Sequence, residues 1–279
     1  MVIDFHTHVF QDEVIKNRAA HLADEPEFAL LYESSKSTMV DAETLIAVMD
    51  EDGVDKSVIF GFPWRSEKRF RDNNDAVIEA VRKFPDRLIG MACFDLGAKG
   101  AVAETTRCLD AGLKGVGELA FYHSGIDAEA LALMEPVMGL CREADVPVVI
   151  HTNEPVGHPY PGKTPITLGQ IYNLAARYPD NRIVLCHWGG GIFFFNLLKK
   201  QAKKTLSNLW FDTAASPYLY DAEIYETAAK LAGEDRILFG SDYPLIKPSR
   251  YIKEIGGHVA DEDLRQKILG GNAAALLGL

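Results

Sequence analysis

Eight short apolar runs recur along this chain, and segments with helical periodicity separate them. An apolar, β-branched run that is bounded by turn residues predicts a strand buried on both faces, as in a parallel sheet. The predicted strands cover residues 2–9, 56–62, 87–94, 114–119, 146–151, 182–187, 208–212 and 236–242. The predicted helices cover residues 41–53, 73–84, 98–111, 127–144, 167–177, 193–204, 221–231 and 261–277.

Eight strand-and-helix units in a chain of 279 residues predict an α/β fold, a (β/α)8 TIM barrel. An open, doubly wound sheet is the structural alternative, but the regularity of the units favours closure. No linker rich in Gly, Pro or Ser divides the chain, so residues 1–279 are expected to form a single domain. Residues 10–40 interrupt the alternation of strands and helices and predict an insertion after strand 1.

The composition is ordinary for a soluble globular protein. The hydrophobic content is 47%, and the net charge of −11 disfavours nucleic acid and anionic membranes as partners. No apolar run has the length of a membrane span, and the first residues do not have the pattern of a signal peptide. We therefore expect a cytoplasmic protein with a small-molecule substrate, and we leave open whether it forms a homo-oligomer.

Two histidines lie at the end of the first predicted strand. Side chains alternate between the faces of a strand, so His6 and His8 are expected to share one face. Imidazole is a metal ligand at neutral pH, and two adjacent imidazoles provide half of a tetrahedral site. The alternative is a solvated or hydrogen-bonded pair with no metal.

Further polar residues occur at the ends of other predicted strands. Glu118, His151, His187 and Asp242 end strands four, five, six and eight. Because catalytic groups of a barrel enzyme come from the carboxyl ends of its strands, these side chains are expected to converge with the histidine pair. One polar strand end alone would be incidental, but the set predicts a metal site.

Five segments, in chain order, carry a resemblance to a known family. They are residues 3–8 (IDFHTH), 149–151 (VIH), 185–190 (LCHWGG), 238–244 (LFGSDYP) and 268–273 (ILGGNA). The sequence resembles the amidohydrolase superfamily, specifically its amidohydrolase-2 subgroup of metal-dependent hydrolases and decarboxylases. The resemblance runs from end to end of the chain.

The resemblance implies roles for the residues at the strand ends. His6, His8, His151 and Asp242 would bind a divalent metal, most often zinc, with one or two ions in the site. His187 would ligate a second ion or polarise the substrate. Glu118 would be a ligand, as in members that carry a glutamate at the end of strand four, or would orient the ligands instead.

The chemistry expected first is hydrolysis of an amide, ester or lactone bond. A bound divalent metal lowers the pKa of a water molecule toward neutrality. Asp242 would take the proton of that water as the general base, and His187 would stabilise the oxyanion.

The same ligands also suit a non-oxidative decarboxylase of a small unsaturated or aromatic carboxylic acid. Two features favour hydrolysis: Glu118 suits a two-metal site, and Val9-Phe10-Gln11 lacks the proline that decarboxylases of the subgroup often carry there. A phosphodiesterase is disfavoured by the net charge of −11. A non-catalytic metal-binding protein is the distant alternative.

Loops after the strands provide candidate substrate contacts. Trp64 and Arg65 follow strand two, and Tyr160 lies in the loop after strand five. The planar guanidinium of Arg65 can pair with a substrate carboxylate, although an exposed arginine without such a role is the alternative.

Overall fold

In the computed structural model, which describes all of residues 1–279, eight parallel strands surround a central core. The strands are β1 Ile3–His8, β2 Lys56–Phe60, β3 Leu88–Gly90, β4 Val116–Leu119, β5 Val148–Ile150, β6 Ile183–Leu185, β7 Leu209–Asp212 and β8 Ile237–Leu238. They pair in sequence order as two arcs, β1 to β3 and β4 to β8.

Single bridges join the two arcs into a closed barrel. Ala92 pairs with Val116 on one side, and Thr7 pairs with Tyr243 on the other. The backbone N–H of Phe5 also donates to the carbonyl of Phe239 at 2.7 Å. The predicted (β/α)8 barrel is therefore confirmed, although its strands are shorter than the apolar runs suggested.

Helices surround the barrel. They are α1 Asp12–Lys16, α2 Ala19–Leu22, α3 Pro26–Tyr32, α4 Ala42–Asp52, α5 Glu67–Lys83, α6 Ala101–Asp110, α7 Ala128–Glu143, α8 Leu168–Arg177, α9 Ala202–Thr205, α10 Ser216–Leu219, α11 Ile224–Ala232, α12 Pro248–His258, α13 Glu262–Gln266 and α14 Asn272–Leu277. A π-helical turn, Lys267–Gly271, joins α13 to α14. None of these helices combines the length and the apolar composition needed to cross a bilayer.

The predicted insertion after β1 is built of short helices. It contains α1, α2 and α3, and Phe28 of α3 is fully buried. The ring of Phe28 stacks on Tyr32 with centroids 4.9 Å apart, and it lies 4.5 Å from the ring of Trp64. The insertion therefore packs its aromatic side chains against the loop that follows β2.

One extra residue in each of the strands β1 and β4 directs side chains toward the mouth of the barrel, which is its carboxyl end. Between Asp4 and Thr7, β1 has one residue more than the paired segment of β2, and β4 has one more than β5 between Val116 and Leu119. A bulge of this kind bends the strand and shifts the phase of side-chain alternation. It lets β1 place Phe5 in the inner core and still turn its two histidines to the same interior.

The predicted helix over residues 193–204 is wrong. The structure has left-handed backbone from His187 to Gly191, then a short 3-10 helix that ends at Leu197, and then the four residues of α9. Trp188 and the three glycines after it have φ between 59° and 82°, in the left-handed region that favours glycine. A Cβ at Gly189 would lie 2.8 Å from the ring of Phe211, so glycine is also needed for close packing on β7.

Other helices also differ from the expectation, among them the short α10, which was not predicted. The helix after β2 begins at Glu67, six residues before the predicted start at Asn73. The helix α12 was not predicted; Pro248 occupies its first turn, where proline is tolerated because the missing N–H would be unpaired there.

The chain after β8 approaches β1 closely at Gly240. A Cβ at Gly240 would lie 2.7 Å from the Cβ of His6 and 3.4 Å from the Cβ of Asp212. We expect Gly240→Ala to lower the free energy of unfolding by about 1–3 kcal/mol, because overpacking forces the backbones apart. Chemical denaturation measures this change.

Gly256 provides the matched control. It is exposed on α12, and a Cβ at this position would have no atom within 4 Å. Gly256→Ala is therefore expected to raise the free energy of unfolding by about 0.5–1 kcal/mol, because alanine is the better helix former. Equal effects of the two substitutions would contradict the packing argument.

Candidate metal and catalytic site

Four donor atoms meet at the carboxyl end of the barrel. The Nε2 atoms of His6 and His8 are 3.2 Å apart. Oδ1 of Asp242 lies 3.6 Å from Nε2 of His6 and 3.5 Å from Nε2 of His8. Oε2 of Glu118 lies 3.8 Å and 3.7 Å from the same two nitrogens.

This spacing fits a divalent metal ion. Two ligands that are each about 2.2 Å from one ion in a tetrahedral arrangement are about 3.6 Å apart, which is close to the distances between these donors. The donors are two imidazole nitrogens and two carboxylate oxygens, a set that suits several first-row divalent ions. The residues predicted at the ends of strands one, four and eight therefore lie where they could hold one ion together.

The other two predicted histidines lie at the second oxygen of Glu118. Nδ1 of His151 is 2.9 Å from Oε1 of Glu118, and Nε2 of His187 is 3.6 Å from the same oxygen. Glu118 thus lies between the four-donor position and a second group with His151 and His187. Nε2 of His151 faces the carbonyl of Gly162 at 3.0 Å.

The second ring nitrogens of the histidines are held by the surrounding backbone and side chains. Nδ1 of His8 faces the carbonyl of Gly61 at 3.1 Å, and Nδ1 of His187 faces the carbonyl of Ala214 at 3.0 Å. Such contacts fix the ring orientation and leave Nε2 available to the centre of the site. The edges of His6 and His8 also pack against Phe60, with centroids 4.9 Å away in each case.

The charges in the site compensate one another. Burial by itself would lower the pKa of His6, but the Asp212, Glu118 and Asp242 carboxylates raise it to about 10. Burial also opposes protonation of His187, yet Glu118 and Asp242 raise its pKa to about 9. The imidazoles in turn hold the pKa of Asp242 below its ordinary value despite burial.

The sequence analysis missed Asp212, which is central to this network. Asp212 ends β7 and is fully buried. Its Oδ2 accepts from Nδ1 of His6 at 2.8 Å, and its Oδ1 accepts from the backbone N–H of His187 at 2.8 Å. The signal was present, because Asp212 is the polar last residue of an apolar run like the other site residues.

The predicted substrate residues lie outside the histidine cluster. Trp64 is buried, and its indole N–H donates to Asn73 at 3.3 Å. The half-exposed Arg65 has a guanidinium nitrogen 3.6 Å from Glu27 of the insertion. Tyr160 donates to Glu154 at 2.8 Å. Substrate contact by these residues stays a prediction.

Two other tyrosines lie closer to the cluster. The Tyr122 ring is 6.2 Å from the ring of His151. Burial raises the pKa of the Tyr32 phenol, and the nearby Asp242 and Glu118 carboxylates raise it further. Tyr32 belongs to the insertion, so residues 10–40 contribute to the wall of the mouth.

A family model described as Amidohydrolase matches residues 3–279. The chain belongs to this family. The resemblance inferred from the five sequence segments is therefore confirmed over the whole barrel.

Several relatives in the amidohydrolase family are decarboxylases. A 2-amino-3-carboxymuconate-6-semialdehyde decarboxylase of Dictyostelium discoideum is 24% identical in an alignment of 286 positions that covers 86% of this chain and 77% of that protein. A crystal structure of 2,6-dihydroxybenzoate decarboxylase with bound 2,6-dihydroxybenzoate has a TM-score of 0.74 at 20% identity and covers 100% of this chain and 99% of its own.

A third relative was solved with a metal ion. The 5-carboxyvanillate decarboxylase of Novosphingobium aromaticivorans, complexed with manganese and 4-hydroxy-3-methoxy-5-nitrobenzoic acid, has a TM-score of 0.78 at 18% identity. The match covers 100% of this chain and 96% of that one. At these identities the structural likeness establishes the fold.

The expectation of a hydrolase is wrong, because the relatives with known reactions described above are decarboxylases. The prediction was wrong because Glu118 was interpreted as a ligand of two metal ions, which favoured hydrolysis. In the structure, one oxygen of Glu118 belongs to the four-donor position, and the other faces His151 and His187. Zinc is likewise not confirmed, since a solved relative holds manganese.

The raised pKa values make metal binding depend on pH. Below about pH 9, the ion-free protein holds protons on His6 and His187, and an ion must displace the proton on Nε2 of His6. We expect manganese binding to release protons at pH 7, and its affinity to rise by up to about tenfold per pH unit for each proton displaced. Titration calorimetry in buffers of different ionisation enthalpy counts these protons.

His158→Ala serves as the control, because His158 is exposed on the loop after β5. The variant should release the same number of protons as the wild-type protein. Binding without proton release, or an affinity independent of pH between 6 and 9, would contradict the charge balance described here.

Proposed function

We propose that this protein is a metal-dependent, non-oxidative decarboxylase of a small unsaturated or aromatic carboxylic acid. The observation that carries the proposal is the match to a decarboxylase over 86% of the chain, combined with a four-donor position beside a protonated histidine. The likeness to decarboxylases of substituted benzoates supports the same class of substrate.

His6, His8, Asp242 and Glu118 would hold the ion, with His151 and His187 at the other oxygen of Glu118. The geometry favours one ion, and manganese or zinc would each suit the donors. When bound, the ion supplies positive charge that binds the oxygens of the substrate and stabilises negative charge that develops during the reaction.

His187 has the properties of the proton donor. Its pKa of about 9 keeps it protonated at neutral pH, and its Nδ1 is held by the carbonyl of Ala214. The bond between the substrate carbon and its carboxylate breaks, and the electron pair stays on that carbon. A proton from His187 then replaces the carboxylate, and carbon dioxide leaves.

Aromatic side chains at the mouth suit a flat substrate. Tyr32 and Tyr122 lie near the carboxylates and near His151. Arg65 is a candidate partner for a second carboxylate on the substrate, once it exchanges Glu27 for that group.

The direct test is the release of carbon dioxide from three acids named by the relatives: 2,6-dihydroxybenzoate, 5-carboxyvanillate and 2-amino-3-carboxymuconate-6-semialdehyde. We expect the manganese-loaded protein to decarboxylate at least one acid of this class. In deuterated water, the product should gain one deuterium at the carbon that lost the carboxylate. Turnover of amide, ester or lactone substrates without carbon dioxide release would contradict the proposal.

The substitution Asp242→Asn tests whether the protein is an enzyme or only binds a metal ion. We expect kcat to fall at least about 100-fold, because the variant loses a negatively charged donor in the site, while the circular dichroism spectrum stays unchanged. Asp235→Asn is the control, since Asp235 is an exposed residue just before β8 and pairs only with Arg236 at 3.7 Å. Full activity of Asp242→Asn would remove Asp242 from the catalytic set.

A further inference from the structure

Asp212 distributes its two carboxylate oxygens between two different histidines. Oδ2 accepts from Nδ1 of His6 at 2.8 Å. Oδ1 accepts from the backbone N–H groups of His187 at 2.8 Å and of Ala214 at 3.0 Å. No part of this carboxylate is exposed, so water does not compete for these bonds.

The bond to His6 decides which ring nitrogen of His6 is free. A carboxylate is an acceptor only, so it keeps a proton on Nδ1 of His6. When the ring gives up its second proton to an incoming ion, the lone pair is on Nε2, which lies 3.2 Å from Nε2 of His8 and 3.6 Å from Oδ1 of Asp242. A buried carboxylate behind a metal-binding histidine fixes both the tautomer and the ring orientation in this way.

The bonds to the backbone have the same consequence for His187. The Ala214 N–H is held by Oδ1 of Asp212, and the Ala214 carbonyl accepts from Nδ1 of His187 at 3.0 Å. His187 therefore also carries a proton on Nδ1 and directs Nε2 into the site, 3.6 Å from Oε1 of Glu118.

We propose that Asp212 is a positioning residue that keeps a proton on Nδ1 of both histidines, of His6 directly and of His187 through Ala214. One buried carboxylate thereby directs Nε2 of His6 toward His8 and Asp242 and Nε2 of His187 toward Oε1 of Glu118. The inference goes beyond the proposed function, since it concerns the geometry of the site for any reaction.

Asp212→Asn tests this role because asparagine has nearly the same shape. Its amide oxygen can still accept from the His187 and Ala214 N–H groups, so this part of the backbone stays in place. Its amide N–H₂ group then faces Nδ1 of His6 and donates to it. The remaining ring proton of His6 moves to Nε2, and the lone pair needed by an ion is lost.

We expect Asp212→Asn to weaken manganese binding about 10- to 100-fold in titration calorimetry. Glu104→Gln is the matched control. Glu104 of α6 is also a buried carboxylate; it accepts from Asn74 of α5 at 2.9 Å and from Arg107 at 2.8 Å and makes no hydrogen bond to the histidines of the site. This variant is expected to keep the wild-type affinity.

Nitrogen-15 NMR of the wild-type protein loaded with diamagnetic zinc tests the tautomers without any variant. The rings of His6 and His187 should each show a protonated Nδ1 that is protected from exchange. An unprotonated Nδ1 on His6, an unchanged manganese affinity in Asp212→Asn, or an equal loss in Glu104→Gln would each overturn the proposal. Because neither measurement uses a substrate, the result is independent of the decarboxylation assay.

Discussion

Carboxylates and imidazoles alternate at the carboxyl end of the barrel, and this mutual compensation of charge is the constraint on which the site depends. Glu118, Asp212 and His6 are all buried, and an ionised group without a partner in such a place would be strongly destabilising. The protons on His6 and His187 balance the acids before an ion arrives. The charge of an ion can then replace the proton on Nε2 of His6, while His187 keeps its proton.

Irregular backbone delivers these side chains, and each irregularity acts at a different strand. The bulge in β1 lets Phe5 fill the inner core while His6 still reaches the mouth. The bulge in β4 does the same for Glu118 beside the buried Leu119. After β6, the left-handed run that begins at His187 keeps the chain close to β7. Asp212 at the end of β7 can therefore accept from the backbone N–H of His187.

The sequence was sufficient for the barrel and for six of the residues in the cluster, because both follow from local pattern. An apolar run of strand length predicts a strand that is buried on both faces of a parallel sheet. Polar residues at the carboxyl ends of such strands converge once the sheet closes into a barrel. Asp212 obeyed the same rule, but its importance depends on the distance between β7 and β1, which are far apart in sequence. No local signal reports that distance. The predicted helix after β6 failed for a related reason, since the glycines there pass closely over Phe211 and the Asn153 carbonyl, and propensity is a weak guide where such tertiary contacts decide.

The reaction itself could not be predicted from the ligand types, because hydrolysis and decarboxylation use the same donors. The two reactions call for different groups beside Oε1 of Glu118. A second ion there would suit activation of water, whereas a protonated His187 at 3.6 Å suits delivery of a proton to carbon. The pKa of about 9 for His187 means that this position is already positively charged at neutral pH. A second cation would face that charge, which agrees with the proposed transfer of a proton from His187 to the substrate carbon.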